Sequence, residues 1–266
     1  MVYKRTRIKH CVCMMMFLFL SCAMRVCFAD EHNLFTGILR DYVTDDGLVN
    51  YKGLYKDERL NVYIEQLTRT DPRKFGSRND QLAFWINAYN AYTLKIICDN
   101  YPLNSINDLH AGGLIIGTVF KTTIWDKKLV AINNEKTTLN TIEHKIIRPE
   151  FKDPRIHFAL VCAAKGCPPL RNEAYRGAKL DDQLNDQGKI FLADVENNFF
   201  DTRTNEAFLS SIFSWYARDF GTDKEARLKF IAQFLPESVA NNIRDDPGRW
   251  RIRYKKYDWS LNEHNN

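Results

Sequence analysis

The sequence of 266 residues has no internal repeat, no low-complexity stretch and no Pro/Ser-rich linker, so an array of modules is excluded and residues 30–266 read as one domain. Glycine and proline are few, at 12 and 8 residues, which excludes a collagen-like chain. At 45% hydrophobic and 27% charged residues, the chain is neither disordered nor a polytopic membrane protein, and it has material for a sizeable core.

Acidic residues are missing altogether from 1–29, where Lys4, Arg5, Arg7, Lys9 and Arg25 stand. Behind Lys9 an apolar run from Cys11 to Met24, too short to span a bilayer, leads to Cys27-Phe28-Ala29. This is the pattern of a signal peptide cleaved after Ala29, and it predicts an exported protein, periplasmic or secreted. A lipid anchor at Cys22, after Leu20-Ser21, and an uncleaved N-terminal anchor are the alternatives. The formal charge of +5 comes from 38 basic and 33 acidic residues, and the five leader cations account for all of it. A neutral mature chain exerts no global pull on nucleic acid. No membrane span is expected in residues 30–266. Four of the seven cysteines fall in the leader; Cys98, Cys162 and Cys167 remain, in a compartment that permits disulfides.

Apolar spacing predicts helices over 33–43, 58–67, 180–195, 211–220 and 224–235, the last with Thr222 and Glu225 as a capping box. Residues 48–54 form a short extended or turn piece, and 103–123, with Gly112, Gly113 and Gly117, are loop-rich. Asn79 to Tyr101 is the strongest helix, capped by Asn79 and stopped by Pro102. It is apolar nearly all round and should be the buried centre of the fold. A short helix is expected over 139–147, with strands at 129–132, 156–162 and 249–257. The sum is an α+β fold: a mostly helical single domain with a central buried helix and a small, mainly antiparallel sheet.

Chemistry concentrates between Leu139 and Leu170, which hold His144, His157, Cys162 and Cys167. One reading is a thiol nucleophile: Cys167 in its Gly-Cys-Pro loop, His144 or His157 as base, and Glu143, Asn87 or Asn90 orienting that base. Five positions along a strand would put His157 and Cys162 on opposite faces, which favours Cys167. A second reading is zinc held by His144, His157, Cys162 and Cys167, although Cys-x4-Cys is a loose spacing for it. The third is a Cys162–Cys167 disulfide. Asn87 and Asn90, three apart on the apolar helix, either tie down a neighbouring loop or floor a site. Glu143 and His144, adjacent on a helix, point about 100° apart. The alternation of Arg249, Arg251, Arg253 and Lys255 with apolar residues reads as the solvated face of an edge strand rather than a nucleic-acid surface.

Five ordered motifs carry a family resemblance: Ala83-Phe84-Trp85-Ile86-Asn87-Ala88-Tyr89-Asn90-Ala91, Leu139 to His144, His157 to Leu170, Leu209 to Tyr216, and Tyr257 to Asn262. Together, from about Leu48 to Asn262, they resemble the domain-of-unknown-function family numbered five hundred and forty-seven, which occurs in exported bacterial proteins and as a C-terminal module in plant proteins. The resemblance implies that Cys162 and Cys167 both belong to the family motif, and it implies no activity. Papain-like and transglutaminase-like enzymes carry their nucleophile at the start of a central helix. Here that helix begins Asn79-Asp80-Gln81-Leu82-Ala83-Phe84 without a cysteine, and Cys98 lies near its far end, so their mechanism does not transfer.

Two functions are therefore expected to compete around a polar Cys/His/Asn pocket. One is a thiol-dependent hydrolase or acyl transferase using Cys167, His144, His157 and Glu143. The other is a non-catalytic module that binds an unknown ligand or protein, with the two cysteines bridged. No cofactor is predicted.

Overall fold

A computed structural model describes residues 32–110 and 123–264. The predicted signal peptide of residues 1–29, with Cys22, and the glycine-rich stretch 112–117 lie outside the described residues.

Helices α1 (Asn33–Tyr42), α2 (Tyr51–Leu54) and α3 (Arg59–Arg69) pack around α4 (Arg78–Asp99), the 22-residue centre of the fold. Ser77 caps α4 by accepting the Asp80 N–H, two residues ahead of the predicted Asn79 cap. Fourteen of its side chains are buried, on every face, because neighbours cover it on all sides. Each fully buried Leu, Ile or Phe among them contributes about 1.5–3 kcal/mol.

A hairpin of β1 (Val130–Ile132) and β2 (Glu135–Thr137) turns through Asn133 and Asn134, both in the left-handed region that Asn tolerates. Then comes α5 (Leu139–Thr141), capped by Thr138, which widens into a π-helical segment, Ile142–Phe151. This differs from the short α-helix predicted here. Pro149 lies inside the segment and has no N–H to give to a regular ladder.

The strand predicted over 156–162 does not form. Asp153 and Pro154 start a 3₁₀ turn, Pro154–Phe158, and the chain then runs irregularly to Cys162. Ile156, Phe158, Ala159, Leu160 and Val161 are all buried, and a short run apolar throughout reads alike as strand or turn. The carboxylate of Asp153 accepting the Arg155 N–H, followed by Pro at the first turn position, is the local signal that decides it.

Next come α6 (Leu180–Ala193), the hairpin β3 (Phe199–Asp201) and β4 (Glu206–Leu209), and α7 (Ile212–Trp215) with α8 (Ala217–Phe220). Helices α9 (Lys224–Ile231) and α10 (Glu237–Asp245) precede β5 (Arg251–Tyr254). The predicted helix 211–220 is thus broken, at Tyr216. The predicted cap of α9 moves by one residue: Asp223, not Thr222, accepts the Ala226 N–H. Strand β5 lies parallel to β4 at the sheet edge, and Arg251 and Arg253 pair with Glu206 on its exposed side. The fold is therefore a mostly helical α+β arrangement with two small, mostly antiparallel sheets. Among the described residues no helix is long and apolar enough to cross a membrane.

Two apolar cores result. One surrounds α4; the other gathers Phe158, Phe191, Phe213, Phe220 and Trp250. The chain between them is held from α4 by two buried amides. Asn90 donates to the Ala159 carbonyl at 2.8 Å and accepts from the Val161 N–H at 3.1 Å. Asn87 does the same to the carbonyl and N–H of Tyr175, at 2.8 and 2.9 Å. Replacing Asn90 by Ala leaves two buried backbone groups unpaired, each worth about 1–3 kcal/mol. Urea unfolding of Asn90→Ala should show a loss of about 3 kcal/mol; a loss within about 0.5 kcal/mol, the usual range for surface changes, would refute the clamp.

Candidate functional site

Where the two cores meet, chain segments far apart in sequence enclose a cavity of about 520 Å³. The π-helical segment supplies Glu143, His144 and Arg148, and α4 supplies Tyr89. The stretch held by Asn90 supplies His157, Leu160, Val161, Cys162 and Cys167. Ile212, Trp215 and Tyr216 line another side, and Tyr257 and Trp259 come from the C-terminal segment. Of the residues singled out from sequence, five line the cavity; Asn87 and Asn90 stand behind its wall, occupied by backbone.

Glu143 and His144 both reach the cavity, although α-helical geometry would turn them about 100° apart. The wider π turn brings consecutive residues closer in direction, and such turns recur at functional sites. His157 and Cys162 also share the cavity; the expectation of opposite faces fell with the strand it assumed.

Cys162 and Cys167 are joined as a disulfide, with Cα atoms 6.3 Å apart. Ala163 takes a left-handed conformation to turn the loop between them. Outside the loop, residues 257–262 run alongside. Lys165 N–H donates to the Ser260 carbonyl, Gly166 N–H to that of Asp258, and Asn262 N–H to that of Ala163. At Gly166 a Cβ would come within 2.9 Å of the Asp258 nitrogen, so only glycine allows this approach. The Tyr257 hydroxyl lies 3.0 Å from the Cys162 sulfur and 3.1 Å from that of Cys167, and donates to the pair. Burial pushes this phenol well above its usual pKa, so it stays a donor. The Cys162 N–H also points at the Cys167 sulfur, at 2.9 Å. The sulfurs are thus met by a tyrosine and a backbone amide. The remaining thiol, Cys98, is pushed up to about 12 by burial.

The imidazoles are engaged elsewhere. His157 Nε2 donates to Asp219 Oδ2 at 2.7 Å, and Tyr216 stacks on its ring at 3.9 Å between centroids. Arg148 clamps the same carboxylate with Nε at 2.6 Å and a terminal nitrogen at 2.9 Å. Its other terminal nitrogen donates to His144 Nδ1 at 2.8 Å. A guanidinium has only donors, so His144 Nδ1 is an acceptor and carries no proton. The break between α7 and α8 is what places Tyr216 and Asp219 together against His157.

Glu143 is 6% exposed. The Tyr89 hydroxyl donates to it at a long 3.3 Å, and His144 Nδ1 stands 3.8 Å away. Burial first, and then the neighbouring Glu143 carboxylate, hold the hydroxyls of Tyr89 and Tyr216 well above their usual range. Two of the four residues considered for zinc are spent in the disulfide, and a third, His157, is bound to Asp219. Among the described residues no group of three or more His, Cys, Asp or Glu side chains is placed to hold a metal ion.

Sequence reasoning missed Asp219, Arg148, the aromatic residues 89, 125, 215, 216, 257 and 259, and the role of the π turn. Arg148 had a signal, lying four residues from His144 on one helical segment. Tyr89, Trp215, Tyr216, Tyr257 and Trp259 lie inside the quoted motifs. Asp219, 62 residues from its histidine, had none.

The His157 hydrogen bond, and then Arg148, hold Asp219 well below the usual carboxylate range against its desolvation. A depressed folded pKa contributes stability in full above the unfolded value, about 4, and loses it as pH falls toward the folded one. About a quarter of the carboxylate surface is open to water, so we assign the network about 1–2 kcal/mol after screening. The stability gap between the native chain and Asp219→Asn, followed in denaturant from neutral to strongly acid pH, should be constant near neutrality and close below about pH 4. A gap independent of pH would contradict the ionised network.

A comparison with known families matches residues 72–192 to one described as a protein of unknown function, DUF547. No curated protein and no solved structure matches the chain. The matched span is narrower than residues 48–262. It contains α4, the π-helical segment and the disulfide loop, and stops before Trp215, Tyr216, Asp219, Tyr257 and Trp259. Trp215, Tyr216, Tyr257 and Trp259 complete the cavity from outside the span, and Asp219 bonds His157 from there. Residues 72–192 are thus similar to the DUF547 family, the family that the sequence motifs resemble.

Proposed function

We propose that the protein is an exported binding module that holds a small organic molecule in the cavity between its two cores, with the Cys162–Cys167 disulfide as part of the wall. The observation that carries this reading is the cavity itself: about 520 Å³, aromatic on several sides and polar at a few fixed points. A largely apolar hollow with a few convergent polar groups is the usual form of a small-molecule site. The sulfurs and both imidazoles already have partners, so holding a ligand asks nothing more of them. Export follows from the basic and apolar leader of residues 1–29, and an oxidising compartment suits the bridged cysteines. We further propose that residues 30–266 act as one domain and need no cofactor.

A second reading, a thiol-dependent hydrolase or acyl transferase, is favoured by one contact set. The Cys162 N–H and the Tyr257 hydroxyl both point at the Cys167 sulfur. In a reduced protein the same two donors would stabilise a Cys167 thiolate, the nucleophilic form. His157 would then have to leave Asp219, or His144 leave Arg148, to serve as its base.

The two readings part on the thiol. Ligand-observed NMR against a set of small organic molecules should find binders to the oxidised protein, recovered chemically unchanged, and Trp215→Ala should weaken them. Binding that appears only after reduction, with turnover abolished by Cys167→Ser, would replace the first reading by the second. In the reduced protein, Cys167 should react with iodoacetamide about tenfold or more faster than Cys98, and Tyr257→Phe should narrow that ratio. Equal rates would remove the thiolate argument.

A further inference from the structure

Glu143 is a buried carboxylate without a directly bonded cation, although Arg148 acts on it through space. Among the described residues no lysine or arginine nitrogen lies within 4.0 Å of it. His144, at 3.8 Å, presents a nitrogen that already accepts from Arg148. Arg148 itself is neutralised by Asp219 in a two-bond clamp. Burying an ion without a counter-charge costs several kcal/mol, and this one faces the cavity.

The walls supply the other half of the argument. Trp215, Tyr257 and Trp259 form a contiguous aromatic group, with centroids 4.7 Å apart for Trp215 and Tyr257, 4.6 Å for Tyr257 and Trp259, and 5.8 Å for the two tryptophans. Trp125 continues it beside Trp259 at 6.2 Å. All four line the cavity that Glu143 lines. Trp215 is 52% exposed, a cost in water that a ligand would relieve. Ring faces attract cations, most strongly where water is excluded.

We propose that the cavity is specific for organic cations, taking an alkylammonium or quaternary ammonium group between its aromatic wall and the Glu143 carboxylate. The proposal rests on the reading of the cavity as a binding site and adds the charge of its ligand. Arg148 and His144 do not oppose it, since the first is paired and the second is an acceptor on the side that faces Arg148.

Three probes of nearly equal shape separate the terms: choline, its neutral carbon isostere 3,3-dimethylbutan-1-ol, and the anion 3,3-dimethylbutanoate. NMR titration of the oxidised full chain, supported by tryptophan fluorescence, should give choline about tenfold tighter binding than the neutral isostere, and no saturation by the anion. In Glu143→Gln the choline preference should fall to about threefold or less with the neutral probe unchanged, a selective loss that damage to the fold would not produce. Trp215→Ala, at an exposed position, should weaken choline more than the alcohol. If Glu143→Gln does not fold, the three-probe comparison on the native chain decides alone. Equal or tighter binding of the neutral or anionic probe overturns the cation assignment and leaves the binding module standing. Choline preference that survives intact in folded Glu143→Gln also overturns it. If none of the three probes binds while the wider set of small molecules does, the cation assignment is overturned alone; if that set also gives no binder, the binding-module reading falls with it.

Discussion

Asn90 joins a carbonyl and an N–H two residues apart, and the cavity depends on that pair of bonds. Residues 159–161 belong to neither a helix nor a sheet, so their backbone groups have no ladder to satisfy them. A buried segment of this kind holds its path only if side chains stand in for the ladder. One amide on α4 does so here, accepting from Val161 and donating to Ala159. The path so fixed turns His157 toward Asp219 at one end and delivers Cys162 to the cavity at the other. Asn87 fixes Tyr175 in the same way, so a single buried helix positions two loops by their backbones. The amides are polar because the loops are irregular, and they are buried because the loops cross the core.

The C-terminal segment supplies the second restraint. Residues 257–262 lie along the disulfide loop and also reach the N-terminal half: the Tyr51 hydroxyl donates to Asn262 Oδ1 at 2.8 Å, and the Val49 N–H to the Asn262 carbonyl at 2.9 Å. The loop is therefore pinned from both sides, by α4 and by the chain end. Gly47, at φ 80°, lies so close to Pro169 that a Cβ would come within 2.4 Å of it, which seals the far side of the same loop. A site wall held by backbone contacts on opposite faces keeps its shape whether or not its two sulfurs are bonded. The redox state of the pair then changes the chemistry of the wall more than its position.

This architecture explains which parts of the molecule were legible beforehand. Helix α4 was readable because burial on every side leaves a long apolar run, and nothing but a central helix produces one of that length. Its motif also carried the family. The stretch 156–162 was misread for a related reason: six buried residues in a row, 156–161, erase the periodicity that separates strand from turn, and the deciding information sits in Asp153 and Pro154 just before it. The cysteines, histidines and Glu143 could be gathered into one site because they are scarce and close in sequence. Asp219 could not, since its meaning comes from a helix broken at Tyr216, and a break inside an amphipathic pattern leaves no trace in the pattern itself. The aromatic wall was visible as motif residues but not as a wall, because Trp125, Trp215 and Trp259 meet only through the tertiary fold.

Charge shows most directly how local the function must be. Over residues 30–266 basic and acidic residues balance, so no overall field of that part selects a partner. Selection must come from a short-range imbalance, and the cavity contains one. Behind its wall, Asp219 draws both the guanidinium and an imidazole, and Arg148 spends its remaining donor on the second imidazole. Arg148 and His157 are thereby used on that one acid. Glu143, the carboxylate on the cavity wall, is left with the phenols of Tyr89 and Tyr216 and with aromatic faces across the cavity. A protein that needed Glu143 only for its fold had Arg148 within the same turn of the π-helical segment to pair it with. The arrangement instead commits that arginine elsewhere, which leaves a carboxylate without a bonded cation on the wall of a cavity large enough for a small molecule.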